Sequence, residues 1–275
     1  MHPQLQSEPL GGDRFESPAG GGDERRTFGG LVIAQTLVAA AATVEGRPCH
    51  SLHLLFTGAG DGARPVTLAV ERLRDGRAFA ARGVRAEQDA KLLASATLSF
   101  HDGDEGPRHQ PAMGDVSDPE TLEDQRETRR RNAEARGRPA RRSVAEELVD
   151  ARPAESLSVQ GGQEVRRHLW FRSRKPLGDD PISHQALIAF ASDMGLVHLQ
   201  LLANNAAGGG PLDSASLDHA IWFHRPARAD DWLLHVQHAP VAHGGRGLTL
   251  GCIYTQGGTL VASVAQEVLI REPRP

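Results

Sequence analysis

The sequence predicts an α+β protein in which two antiparallel sheets each wrap round a central helix. Three observations lead there. An apolar, Ala-rich stretch at 28–46 precedes four extended runs. The same order returns in the second half, with a helix at 184–202 and four further runs. A charged segment poor in apolar residues separates the two.

Taken in order, residues 1–26 are polar and Gly-rich, which predicts a loose tail with one short strand near Asp13–Ser17. In FGGLVIAQTLVAAAATVEG (28–46), Ala and Leu favour helix, and the flanking glycines mark its ends. The segment is apolar nearly all round, so other structure must enclose it. The runs 51–57, 65–74, 77–88 and 91–101 follow, separated by turn signals at Gly58–Gly62, Asp75-Gly76 and Asp89-Ala90. The second half begins with a strand at 164–173. Its helix leads to the runs 216–224, 231–240, 246–256 and 259–270. The expected organisation is a first unit over 10–102, a charged linker over 103–163 and a second unit over 164–272. The linker should carry one or two exposed helices. Its arginines, Arg126 to Arg142, interleave with Glu and Asp as on a solvated face.

The halves also resemble each other in detail. QDAKLLASATLSF (88–100) aligns with QGGTLVASVAQEV (256–268), matching Gln88 with Gln256, Leu92 with Leu260, Ala94 with Ala262 and Ser95 with Ser263. Ser51-Leu52 aligns with Ser216-Leu217 at nearly the same offset. Two copies of helix-plus-meander suggest two sheets side by side, each curled round its own helix, with convergence of amphipathic patterns as the alternative.

Bulk properties narrow the function. The chain has 275 residues, 39% of them hydrophobic, and a net charge of -4, which gives no general pull toward nucleic acid or membranes. Cys49 and Cys252 cannot make a disulfide framework, and the first residues lack a signal-peptide core, so a cytoplasmic home is the expectation. No run of 18 apolar residues is present, so no membrane span is expected. GxSxG, HExxH, paired CxxC, P-loop and GxGxxG motifs are all missing. His50 and His53, three apart on a strand, point to opposite faces and make a poor metal pair.

Differences between the two copies point at chemistry. Leu260, Ala262, Val264, Gln266, Val268 and Ile270 share one strand face, so Gln266 interrupts an apolar row where the first copy has Leu98. A buried amide without partners costs about 1–3 kcal/mol, so something polar must face it. Asp193 projects among Ala186, Ala189, Phe190, Leu196, Val197 and Gln200 on the second helix, where the first has Gln35. Ser216 opens the next strand and gains weight from the company of the other two.

Several strings together carry a family likeness: FGGLVIAQTL, HSLHLLF, LRDGRAFAARGVRAEQ, the helix ending in ASD, SLDHAIWFHRP and RGLTLGCIYTQGGTLVASVAQEVLIR. They resemble the type II acyl-CoA thioesterases, a double-hotdog family, over most of 10–102 and 164–272. The resemblance implies a tandem hotdog fold and hydrolysis of fatty acyl-CoA to free acid and CoA. It implies no metal, no organic cofactor and no acyl-enzyme. In the family an Asp on the second helix, a Thr or Ser ahead of the DH pair and a Gln in the last strand hold a water. Those positions are Asp193, Ser216 and Gln266. Asp193 would be the general base, with the other two orienting the water. Gly29, Gly30 and His50 are the candidate substrate-binding residues, with the backbone of Gly29 or Gly30 as oxyanion donor. A tunnel near the interface of the two units and a homo-oligomer are also implied. The chain departs from the family at Phe56-Thr57-Gly58-Ala59-Gly60, where an Arg and a Pro are lost. Aromatic residues make up only 4%, so tunnel walls of Leu, Val and Ala are expected. Alternatives are a non-catalytic acyl-CoA binding module and a hotdog hydratase or dehydratase. No nucleic-acid partner is expected.

Overall fold

A hairpin opens the chain, with β1 (Glu8–Gly11) and β2 (Arg14–Ser17) joined through Gly11, Gly12 and Asp13, all at positive φ. The computed structural model describes residues 1–22, 25–154 and 165–273. Next come α1 (Gly29–Ala41) and the strands β3 (Cys49–Phe56), β4 (Val66–Asp75), β5 (Phe79–Gln88) and β6 (Lys91–His101). The intervening segment supplies α2 (Gln125–Ala135) and α3 (Val144–Leu148). The second unit holds β7 (Val149–Ala154), β8 (Val165–Ser173), α4 (Pro181–Ser192), α5 (Leu196–Ala206), β9 (Asp213–Ser216), β10 (Asp218–Phe223), β11 (Leu233–His243), β12 (Arg246–Thr255) and β13 (Leu260–Arg271).

Among the described residues the strands form one sheet, in the order β1-β2-β4-β5-β6-β3-β10-β13-β12-β11-β8-β7, with β9 paired to β13. The order reads as a unit and its mirror image, which is the internal repeat made visible. The two expected sheets are joined edge to edge by the antiparallel pair β3–β10, so neither leaves a bare edge at the junction. Helices α1 and α4 pack against each other in the middle. Their approach is close because position 30 is glycine: a Cβ there would collide with the Phe190 carbonyl oxygen. Phe28 and Phe190 meet edge to face beside this crossing, with ring centroids 5.1 Å apart.

The helix expected at 28–46 ends at Ala41, and a buried arginine shows why. Arg82, 1% exposed, donates to Thr43 Oγ1 (2.7 Å), the Thr43 carbonyl (2.9 Å), the Arg74 carbonyl (2.9 Å) and Asp75 Oδ1 (2.6 Å). The guanidinium satisfies the Thr43 carbonyl just past the helix end and pins it to β4 and β5. Arg82→Met should destabilise the protein by on the order of 3 kcal/mol, seen as a lower denaturant midpoint at unchanged slope, because those acceptors lose their donors.

Three expectations need correction. The tail is not loose: Leu5 is fully buried, His2 bonds Ser173 Oγ (2.8 Å), and Gln35 donates to the carbonyls of Gln4 and Pro18 (both 2.9 Å). The charged linker also belongs to the second unit more than its composition suggests. It supplies β7, an edge strand containing Pro153, a residue that edges tolerate. It also covers the sheet's outer face, where Trp170 Nε1 bonds the Ser117 carbonyl and Trp232 Nε1 bonds Glu120 (both 2.9 Å). The end of the linker, 155–163, and the first residue of the strand expected at 164–173 lie outside the described residues. Third, the second helix is broken, as described below. Its stretch Pro181–Asn205 is long and apolar enough by composition to cross a membrane, yet it is mostly buried as the core helix of this unit.

Candidate active site

The break in the second helix places the candidate acid. Asp193 ends α4 as its C-cap, and Gly195 starts α5 at φ 90. Only glycine sits easily at such a φ, and a Cβ there would also strike the Arg167 guanidinium. A break frees carbonyl groups that need donors. The sheet beneath provides one for Met194 O, which accepts from Gln237 Nε2 (2.8 Å), and Thr249 Oγ1 adds a bond to Leu196 O at the start of α5 (3.3 Å), both donors being fully buried. Neighbours projected for Asp193 on one continuous helix therefore hold only on its N-terminal side.

Asp193 itself is 6% exposed. Its Oδ2 accepts the Gly30 N–H at 2.8 Å, a bond across 163 residues that joins the two units. Its Oδ1 is buried with no hydrogen-bond partner among the described residues. Burial pushes the Asp193 carboxyl above the usual carboxylate range, against opposing pulls from His219, the Gln266 side chain and the Gly30 N–H. The Gln266 amide has two hydrogens: one goes to Ser216, and the other is on the nitrogen that opposes the rise in the Asp193 pKa.

Gln266 lies fully buried on β13, in the apolar row where the alternation puts it. Its polar partners are Ser216 Oγ, which accepts from Nε2 at 3.0 Å, and His219 Nδ1, 2.6 Å from Oε1. Ser216 and His219 are three apart and would point to opposite faces of one regular strand. A one-residue register shift puts them on the same side: Ser216 pairs with Val268 on β9, while Ala220 pairs with Ala265 on β10. Asp218 Oδ1 accepts the Glu267 N–H at this shift (2.7 Å).

His219 is a residue that sequence reasoning missed. It is fully buried, and Nε2 lies 2.8 Å from Ser192 Oγ. Burial holds its pKa below the usual imidazole range despite the nearby Asp193. With Oε1 of Gln266 as acceptor, Nδ1 carries the proton, and Nε2 shares the one Ser192 hydroxyl hydrogen with the Ala189 carbonyl, each at 2.8 Å. That assignment leaves the Gln266 amide pointing at Ser216, and the Ser216 proton free to be donated onward. The signal available in the sequence was the row His219, Ile221, Phe223, where an imidazole stands among apolar side chains.

Asp193, Ser216 and Gly29 all line one cavity of about 940 Å³. Leu169, Leu201, Leu202, Val149, Val197 and Ala151 line it, and Phe28 and Met194 join them, so the expected wall of Leu, Val and Ala also carries an aromatic ring. Arg26, Arg126, Arg129 and Arg167 also reach it. The structure thus brings Asp193, Ser216, Gln266 and Gly29 together. It does not bring His50, which bonds Ser99 Oγ (2.8 Å) and packs edge-on against Phe79 and His101. Gly30 is present but its N–H is engaged by Asp193, which removes it as an oxyanion donor. Gly29 begins α1, where N–H groups have no partner within the helix. No group of three or more His, Cys, Asp or Glu suited to a metal ion exists among the described residues.

The sequence matches the family description "Acyl-CoA thioesterase" over residues 140–269 and "Acyl-CoA thioesterase N-terminal domain" over 18–101. It is 36% identical to acyl-coenzyme A thioesterase 8 of Homo sapiens, covering 97% of this chain and 87% of that protein. It is 35% identical to acyl-CoA thioesterase 2 of Haemophilus influenzae, covering 90% and 88%. Among solved structures, the acyl-CoA thioesterase II TesB2 from Mycobacterium marinum superposes with a TM-score of 0.79 at 38% identity, covering 98% of this chain and 97% of that one.

Proposed function

The chain belongs to the acyl-CoA thioesterase family, and on that premise we propose that it hydrolyses fatty acyl-CoA with a water activated by Asp193, without a covalent intermediate. One observation carries the reading: a buried carboxylate at the cavity wall with one oxygen fixed by Gly30 and the other unpartnered. A water held there donates one hydrogen to Oδ1 and accepts the Ser216 hydroxyl, which leaves a lone pair to attack the thioester carbonyl. The proton passes to Asp193, the carbonyl oxygen becomes an oxyanion beside the Gly29 N–H, and collapse expels the CoA thiolate. Asp193 then returns its proton to the sulfur. A carboxyl pKa raised by burial helps this last transfer, because the protonated form is less costly than in water.

The hydratase alternative needs a second acid–base group facing the substrate. His219 does not serve, since both its nitrogens are engaged and it is off the cavity wall. The binding-module alternative is separated by turnover. Free thiol release from a panel of saturated acyl-CoAs should be steady. A folded protein that bound the panel and released no thiol would exclude hydrolysis.

The pH profile follows from the same carboxyl. The base must be ionised, and burial raises its pKa, so kcat/KM should fall as pH drops through a value above the ordinary Asp range. Initial rates from acid to neutral pH measure that limb. A limb at the ordinary Asp value would place the active carboxylate elsewhere.

A further inference from the structure

The cavity holds a charge that hydrolysis does not use. Arg167 projects from β8 on the same face as Leu169, and both line the cavity with Asp193. It is half-buried, and among the described residues its side chain has no ion-pair or hydrogen-bond partner. The guanidinium lies against Gly195, two residues from Asp193. Arg129 of α2 reaches the same cavity, though it is paired with Glu146 at 2.9 Å. Burial, and then the nearby Arg129, push the Arg167 pKa down to about 10, so it stays charged at neutral pH. The carboxylates Asp124, Glu146 and Asp193 line the same cavity but are bonded to Arg174, Arg129 and the Gly30 N–H; among the described residues none is paired with Arg167, and a ligand oxyanion would give its guanidinium a partner.

We propose that Arg167, with Arg129 beside it, forms a subsite for an oxyanion carried by the substrate, either a phosphate of CoA or a carboxylate on the acyl chain. This rests on the thioesterase reading, and it gives the linker a role: Gln125, Arg126 and Arg129 of α2 line the same cavity as Arg167. The two-pronged donor of an arginine suits both groups equally.

Four thioesters separate the sources: hexanoyl and adipoyl, each on CoA and on N-acetylcysteamine. The wild type should prefer an anion-bearing thioester over neutral hexanoyl-N-acetylcysteamine. Arg167→Gln should reduce that preference by at least about tenfold, mostly through KM. A loss that follows the CoA handle assigns phosphate, and one that follows the adipoyl chain assigns carboxylate. Should Arg167→Gln fail to fold, Arg167→Lys keeps the charge without the fork and should show a smaller drop in the same preference. Equal losses on all four, or none, would overturn the proposal and leave Arg167 as packing for Gly195. If the wild type cleaves nothing, hydrolysis is the reading that fails. Calorimetric binding of free CoA and of adipate then still tests the subsite, and equal binding by wild type and Arg167→Gln would overturn it.

Discussion

Asp193→Asn should lower kcat by about a thousandfold while leaving the fold and acyl-CoA binding in place. Asparagine has the same shape and still accepts the Gly30 N–H through its Oδ1, so the junction between the two units keeps its bond. What it loses is the ability to take a proton from water. The comparison is therefore a kcat effect with KM little changed, the signature of an interaction made only in the transition state. Thermal melting of the variant checks the fold independently. It should melt no lower than the wild type, since a buried carboxylate pushed away from its ionised form gives the native state little. Turnover within tenfold of wild type would remove Asp193 from the role of base.

The second large effect is steric. Gly30→Ala puts a methyl into the Phe190 carbonyl and against the Phe28 ring, at the closest approach of α1 and α4. The helices must separate, and overpacking of this kind costs about 1–3 kcal/mol. Separation also pulls the Gly30 N–H from Asp193, so kcat should drop about a hundredfold even where the protein still folds. Gly29→Ala should differ in kind: its methyl meets Asp193 Oδ2 at 2.8 Å and the tip of Phe56 at 3.1 Å, crowding the carboxylate rather than the helix backbones. Activity and denaturant midpoints of both variants check this. Full activity and stability in Gly30→Ala would mean that the helix crossing does not position the site.

How much of this the sequence shows depends on how local each signal is. Gln266 declared itself because a strand alternates with period two, and one amide in an apolar row needs no partner to be noticed. Asp193 declared itself in the same way on a helix. The break at Gly195 did not, because the side chains that brace it, Gln237 and Thr249, come from strands far along the chain. The Gly30 bond to Asp193 is equally hidden, as it depends on two helices from different halves meeting. Ser216 was read as the start of one strand with His219 on it. The register shift between β9 and β10 turns both toward Gln266, and no composition marks such a shift. Strand β7 escaped notice because Val149–Ala154 carries Asp150, Arg152 and Pro153 and lies in charged surroundings. Asp150, 7% exposed, makes sense only once Arg152 and Arg172 are seen beside it.

Direct attack by water is tested most directly in heavy-oxygen water under single-turnover conditions, with enzyme in excess over hexanoyl-CoA. The first product acid should carry one oxygen from solvent, and the intact protein should gain neither acyl mass nor labelled oxygen. An acyl adduct on the protein, or solvent oxygen incorporated into the Asp193 carboxylate, would show that Asp193 attacks the thioester itself and contradict the mechanism.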